Sequence, residues 1–156
     1  MSKRQQRLKR IAAIEQEYLA AATAADWLAK QLKADPSFGD QYGWEGRGGL
    51  DFSENVETTY IVRIYAEFEA GLRDYWRNYL GKDTKPGMAQ LVRDAIPARQ
   101  WFKQDDIDNA LKIVYYRNFL VHEPEDETPQ NVTVFTVKAA KRHLSAYFSR
   151  LDYQWT

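Results

Sequence analysis

The 156-residue chain contains no cysteine, so neither a disulfide framework nor thiolate chemistry is open to it. No stretch of the sequence is long and apolar enough to span a membrane, and the N-terminus lacks the apolar core of a signal peptide. One sign of charge does not dominate, because 22 lysines and arginines balance 22 aspartates and glutamates. Any site for a polyanion must therefore be local. We expect a cytoplasmic protein with no membrane partner.

Histidine is also scarce, since the chain has only His122 and His143. No group of His, Asp and Glu has the spacing of metal ligands, and His143 has no second histidine nearby in sequence. The glycines of residues 39–49 match neither a P-loop nor a dinucleotide-binding fingerprint. We interpret that stretch as a connector in preference to a binding loop. The sequence therefore predicts no metal site and no cofactor.

Apolar residues are plentiful, at 44% of the chain with 14% aromatic, which favours one packed domain over residues 1–156. Their spacing of three and four residues predicts helices. The predicted helices are one over Lys3–Lys33, one from an N-cap at Ser53 to Gly81, one over Pro86–Ile96 that ends before Pro97, one from a cap at Asp105 or Asp106 to about His122, and one after a cap at Thr136. The last of these is predicted to turn six residues inward: Val137, Ala140, Leu144, Tyr147, Phe148 and Leu151. The predicted fold is an all-α, antiparallel bundle of four or five helices. The fourth helix is apolar on more than one face, which predicts a central position.

The end of this fourth helix is the most informative stretch, because Arg117 and Asn118 are followed there by His122. At about 3.6 residues per turn, Asn118 and His122 lie one above the other, and helical side chains lean toward the N-terminus. The Asn118 amide is thus placed to fix the tautomer and orientation of the His122 imidazole. Arg117, to one side, adds a permanent planar cation suited to a phosphate. Pro124 ends the helix at or just after His122.

An acid–base imidazole beside a phosphate-binding guanidinium is sufficient for metal-free cleavage of RNA. In that reaction the 2′-hydroxyl attacks its own phosphodiester, the histidine transfers protons, and the arginine stabilises charge in the transition state. The pattern therefore predicts that Arg117, Asn118 and His122 are the catalytic residues.

The segment Arg117-Asn118-x-x-x-His122, near the end of the penultimate helix of a small helical chain, resembles the motif of the HEPN superfamily. That motif is an arginine, a polar residue, three variable residues and a histidine, and asparagine is common in the polar place. The second predicted helix, with residues 65–69 and 72–76, is also similar to that of small stand-alone members. At the level of architecture, the similarity covers most of the chain.

The resemblance implies a metal-independent endoribonuclease, often a toxin of a bacterial defence or toxin–antitoxin pair. It also implies a homodimer whose two motifs face each other in a cleft, and in some cases an antitoxin or other partner protein. These implications apply only to Arg117, Asn118 and His122. A twofold interface along the penultimate helix would bring two histidines together, so that one serves as acid and the other as base.

Two other interpretations of the same residues stay open. In the first, the chain is a non-catalytic HEPN-like module that binds a nucleotide or a partner protein. The zero net charge and the acidic run within residues 123–127 agree with that interpretation. In the second, the chain is a helical scaffold, Arg117 and Asn118 are ordinary polar residues, and His122 caps the last carbonyls of its helix.

Several side chains outside the motif are able to contact RNA. Tyr115 and Tyr116 have rings that stack on bases, although we expect them to pack in the core or at an interface. The basic residues of 3–10 suit RNA or an acidic partner, but such a cluster is more often simply solvated. On the second predicted helix we expect four charged residues to pair along its own solvated face: Arg63, Glu67, Arg73 and Asp74. Glu67 or Arg63 could alternatively line the cleft.

Overall fold

The computed structural model describes residues 1–44, 48–121 and 132–156. The chain is an all-α helical bundle, as predicted, and the described residues contain no strand. The α-helices are α1 (Lys3–Ala34), α2 (Gly48–Asp74), α3 (Met88–Gln90), α4 (Gln104–Val121) and α5 (Val137–Arg150). Short turns of other helical types are 3₁₀ at Pro36–Tyr42 and Pro97–Arg99, and π at Tyr75–Tyr79 and Leu91–Ala95. None of the helices in the described ranges combines the length and apolarity needed to cross a bilayer.

Helix α1 begins and ends almost where the sequence predicts. A capping box fixes its start, because the Ser2 hydroxyl accepts from the Gln5 backbone N–H at 3.3 Å and the Gln5 side chain accepts from the Ser2 N–H at 3.2 Å. At its other end, Asp35 is extended, and its carboxylate accepts from the Ser37 backbone N–H at 3.0 Å. Asp35 therefore ends α1 and caps the 3₁₀ turn that follows.

The predicted start of α2 is wrong. Ser53 is not an N-cap, because the helix begins more than a turn earlier, at Gly48. Close packing on α1 accounts for the added turn: a Cβ at Gly49 would lie 2.6 Å from Cδ1 of Leu32, so the absence of a side chain lets the two helices approach. The end is as predicted, since Gly81 has a φ of 62° and follows a π-helical continuation of α2.

Two further boundaries differ from the prediction. Pro86 does not open the third helix, which begins at Met88 after Gly87 and continues as a π turn that ends before Pro97. Neither Asp105 nor Asp106 caps α4, because the helix begins at Gln104 and both carboxylates lie in its first turn. Their negative charges there interact favourably with the helix dipole.

Helix α5 agrees with the prediction in its cap and in its buried face. The Thr136 hydroxyl accepts from the Ala139 backbone N–H at 3.2 Å. The start of α5 has another hydrogen bond, from α2. The Glu57 carboxylate accepts from the Val137 N–H at 3.0 Å and from the Tyr18 hydroxyl at 3.3 Å. The residues predicted to face inward are all buried: Val137, Ala140, Leu144, Tyr147, Phe148 and Leu151.

The core contains buried residues from all five α-helices, and α2 meets α5 within it. Phe68 and Phe148 contact edge to face with ring centroids 5.0 Å apart, and both are fully buried. Gly71 makes this approach possible, because a Cβ there would lie 2.5 Å from Cζ of Phe148. The chain ends meet beside this core, since the Lys3 N–H donates to the Trp155 carbonyl at 2.9 Å.

Charged residues on α2 mostly pair with other helices, which corrects the prediction of pairing along α2 itself. Arg63 lies 2.7 Å from Glu17 of α1, and Glu67 lies 2.6 Å from Arg7 of α1. Arg10 also reaches Glu67, and Asp74 pairs with Lys3. Of the four residues predicted to pair along α2, Arg73 does so, with Glu69 at 2.7 Å. The α1–α2 contact is therefore an ion-paired interface.

Candidate functional site

Arg117 and Asn118 lie in the last turn of α4 and contact each other. Nη1 of Arg117 donates to Oδ1 of Asn118 at 3.2 Å. The preceding turns of α4 are anchored in the core through Ile113 and Val114, which are at most 1% exposed. The buried face of α4 thus holds its C-terminal end against α2, and two of the three predicted site residues are brought together there.

The guanidinium of Arg117 rests on Tyr65 of α2. Cζ of Arg117 lies 5.3 Å from the centre of the Tyr65 ring, which is within cation–π range, and Tyr65 is only 2% exposed. Nε of Arg117 is buried and has no hydrogen-bond partner among the described residues. Within the described ranges, no carboxylate forms an ion pair with Arg117. The arginine is therefore positioned by an aromatic ring and an amide, and its charge is not neutralised there.

The electrostatics of Tyr65 reflect this setting. Burial is the main cause that raises the pKa of its hydroxyl to about 12, and Glu69 adds to the effect. Arg117 and Arg73 act in the opposite direction and lower the pKa. The hydroxyl thus stays neutral at physiological pH, and Tyr65 offers Arg117 a ring face in place of a counter-charge.

A second arginine near Tyr65 is already occupied. Arg73 donates from Nε to Glu69 at 2.8 Å and from Nη1 to the Pro86 carbonyl at 3.4 Å. Glu69 is therefore engaged by a helix neighbour, and Arg117 remains the cation at this position that lacks a carboxylate among the described residues.

Two of the sequence predictions fall on residues outside the described ranges. His122 follows directly after Val121, the last described residue of α4, so its role and its orientation by Asn118 stay predictions. The acidic run within residues 123–127 lies outside as well. Asn118 itself is exposed, and its amide oxygen accepts from Arg117.

The other candidates divide between core and surface. Tyr116 is buried and packs against Phe135 with ring centroids 5.9 Å apart, as expected for a core residue, whereas Tyr115 is 49% exposed. Arg63 and Glu67 face α1 through their ion pairs. They therefore belong to the α1–α2 interface and not to the wall beside Arg117.

His143, the second histidine, lies on α5 in a different environment. Burial is the main cause that lowers its pKa, and the charges of Arg142 and Lys112 lower it further, against an opposing effect of Asp106. Nη2 of Arg142 lies 3.1 Å from its Nε2. Since an arginine is always a donor, this contact requires an unprotonated Nε2. No hydrogen bond within the described ranges joins His143 to the Arg117–Asn118 pair.

The arrangement is suited to holding an anion. A guanidinium presents a planar set of donors that matches phosphate oxygens. Among the described residues, no group of three or more His, Asp or Glu side chains is placed to hold a metal ion.

Sequence reasoning does not identify Tyr65 as the residue under Arg117, because its spacing on α2 is simply that of a core aromatic.

A comparison with protein-family models found no match to the chain, and comparisons with curated proteins and with solved structures found none either. The resemblance to the HEPN superfamily therefore rests on the residues of the motif and on the predicted architecture.

Proposed function

We propose that the protein is a metal-independent endoribonuclease of the bacterial defence or toxin–antitoxin type. Arg117 is the residue that binds the scissile phosphate, Asn118 is the orienting residue, and His122 is the general acid or base. The observation that supports this assignment is the Arg117 guanidinium, which is held on Tyr65 without a carboxylate partner in the described ranges. Arg117 as a whole is partly exposed, and a guanidinium carries a permanent charge and several N–H donors that match phosphate oxygens.

In the proposed reaction, the 2′-oxygen of a ribose attacks the adjacent phosphorus and loses its proton to a neutral imidazole. The bond from phosphorus to the 5′-oxygen breaks, and that oxygen takes a proton from an imidazolium. The products are a 2′,3′-cyclic phosphate and a 5′-hydroxyl. Arg117 stabilises the negative charge that grows on the non-bridging oxygens.

Because one imidazole cannot be both protonated and unprotonated, the proposal includes a homodimer. A twofold axis beside α4 would bring His122 of each protomer to one cleft, where one is acid and the other is base. An antitoxin or another partner protein that covers this cleft would inhibit the enzyme.

The test is incubation of the purified protein with total RNA and transfer RNA in excess EDTA. Wild type and His143→Ala are expected to cleave, and chelation is expected to have no effect. His122→Ala and Arg117→Ala are expected to lose cleavage while they keep the helical circular-dichroism spectrum. Products that end in cyclic phosphate would identify the 2′-hydroxyl as the nucleophile.

The main alternative is a non-catalytic module that binds a nucleotide or a partner protein through the same residues. The acidic run after His122 favours the partner-protein form of this alternative, since carboxylates repel the phosphate backbone of RNA. A well-folded wild type that binds nucleotide with loss on Arg117→Ala, yet cleaves no RNA, would establish this alternative and overturn the nuclease.

A further inference from the structure

At the end of the molecule where α1 turns into α2, five aromatic side chains form a cluster that we call the aromatic tip. Four of them, Trp27, Phe38, Tyr42 and Trp44, have rings in contact, and the fifth, Phe52, lines a cavity together with Trp44. Tyr42 and Trp44 stack with centroids 5.3 Å apart, and Trp27 meets Phe38 edge to face at 6.0 Å. The tip is nevertheless open to solvent: Tyr42 is 58% exposed, Trp27 55% and Phe52 47%.

An open cavity of about 420 Å³ lies within the aromatic tip. It is lined by Leu28, Trp44, Gly48, Gly49 and Phe52, and none of these side chains is polar apart from the indole N–H. Such a cavity accepts an aliphatic or aromatic side chain. A contiguous exposed patch of large apolar residues on a folded domain commonly marks an interaction site.

The charge around the aromatic tip is negative. The described residues 26–44 and 48–54 contain five carboxylates and two cations, whereas residues 1–14 at the other end of α1 contain five cations and no carboxylate. The Asp40 carboxylate, on the same 3₁₀ turn as Phe38 and Tyr42, is exposed and has no side-chain partner among the described residues. Asp26, beside Trp27, is exposed and forms an ion pair with the similarly exposed Lys30.

This charge decides between possible occupants. A single-stranded nucleic acid would find rings on which to stack, but the carboxylates would repel its phosphates, and stacking platforms normally lie in positive grooves. Two aromatic tips placed face to face would bring like charges together. A partner with lysine or arginine beside its apolar side chains meets both requirements, because carboxylates and exposed ring faces both attract cations.

We propose that the aromatic tip docks a protein segment that presents an apolar side chain flanked by lysine or arginine. The apolar side chain enters the cavity beside Phe52, and the cations lie against Asp40 and the faces of Trp27 and Tyr42. This surface is separate from Arg117, so the proposal does not depend on the nuclease activity.

The experiment is a selection of short random peptides on the full-length protein by phage display. Affinities of the enriched peptides are then measured by fluorescence anisotropy. We expect enriched sequences to carry Leu, Ile, Phe or Trp next to Lys or Arg. Trp27→Ser and Phe52→Ser are expected to weaken binding about tenfold, as for residues central to an interface. Trp101→Ser is the matched control, because Trp101 is 70% exposed outside the tip.

Charge is tested separately with Asp40→Lys, which is expected to weaken binding and to reduce its dependence on salt, with Asp83→Lys as the control. Each variant is first shown to keep the wild-type circular-dichroism spectrum. Enrichment of acidic peptides, or equal losses on Trp101→Ser and Phe52→Ser, would overturn the proposal. Self-association that Phe52→Ser abolishes would also overturn it, since the occupant would then be a second copy of the chain. Oligouridine binding that Phe52→Ser abolishes would do the same, since the occupant would then be a nucleic acid.

Discussion

Helix α2 contacts an arginine of a neighbouring helix on each of two sides, and the two contacts are different. On the side that faces α1, Arg7 lies 2.6 Å from Glu67, and their side chains are 19% and 17% exposed. On the side that faces α4, Arg117 rests on the ring of Tyr65, and its buried Nε has no partner in the part of the chain that the structure describes. The first arginine joins two helices, and its charge is cancelled. The second is positioned with its charge kept, which is what a site for an anion requires.

The difference has a physical basis in the partners. A carboxylate lowers the free energy of a partly buried guanidinium by neutralising it and accepting from its donors. A tyrosine ring attracts the cation without accepting from its N–H groups. The α1–α2 side is therefore optimised for stability, and the α4 side retains a positive charge that no carboxylate of the described residues neutralises.

The largest expected effect separates the two arginines by activity. Arg117→Ala is expected to lower the rate of RNA cleavage by about a hundredfold or more, as is typical when a positioned transition-state donor is removed. Its free energy of unfolding should change little, because Arg117 makes no ion pair within the described ranges. Initial cleavage rates and urea unfolding give both quantities.

Arg7→Ala is the matched variant for this comparison and is expected to do the reverse. It should lower the free energy of unfolding because Glu67 loses its nearest partner, and the rate per folded molecule should stay at the wild-type value. Equal rates for Arg117→Ala and Arg7→Ala would contradict the division between a binding arginine and a structural one.

The next largest effect concerns how tightly α2 packs on its other neighbours. Gly71→Ala is expected to destabilise the protein by about 2 kcal/mol, as for overpacking of a filled core. The reason is that the new Cβ would lie 2.5 Å from Cζ of the fully buried Phe148. Gly87→Ala is the control, since nothing lies within 4 Å of a Cβ there. Chemical unfolding at equilibrium measures both, and a neutral Gly71→Ala would show that Phe148 moves freely.

A smaller effect is expected from the paired carboxylate. Glu67→Gln should cost about 1 kcal/mol of unfolding free energy, because a charge-assisted bond to Arg7 becomes a neutral one. Asp26→Asn is the control on an exposed pair with Lys30, with side chains 66% and 70% exposed, and should cost less. Thermal unfolding in low and high salt compares them, and equal costs would remove the distinction between buried and exposed pairs.

The smallest effect is a pH dependence on the α4 side. The pKa of Tyr65 is raised from 10.0 to about 12 in the folded chain, so its neutral form is favoured by folding. The stability that follows is complete below pH 10 and is lost as the pH rises from 10 toward 12. The free energy of unfolding of Tyr65→Phe should therefore fall less steeply than that of wild type as the pH rises through this range. Arg117→Leu should raise the pKa of Tyr65 further, because Arg117 lowers it.

Both shifts are measurable by ultraviolet titration of tyrosinate, as a difference between each variant and wild type. A Tyr65 hydroxyl that titrates near 10 in the folded protein would contradict its burial beneath Arg117. A titration that does not respond to Arg117→Leu would contradict their contact.

The sequence is sufficient to predict elements whose signals are local. The extent of α1 and the buried face of α5 follow from periodicity, and Thr136 is recognisable as a cap from its place before that face. The start of α2 is not predictable in this way, because the close packing of Gly49 on Leu32 of α1 is a tertiary contact that no local pattern encodes. Glycine alone favours a loop, and the tertiary contact outweighs that preference.

The same distinction applies to the site. The adjacency of Arg117 and Asn118 is readable from the sequence, and their contact is a consequence of it. The ring beneath Arg117 depends on how α4 crosses α2, which no spacing specifies. Likewise, the pairing of Arg63 and Glu67 with α1 depends on a long-range approach between helices, so local rules favour the wrong partners.

The hydrogen bond between Lys3 and Trp155 has a practical meaning for the connectivity of the fold. Because the two chain ends lie side by side, a short linker can join them without moving either helix. The exposed residues around Asp83 then offer a place for new ends, between α2 and α3. Circular permutation would preserve the bundle and change only the order in which its helices are synthesised.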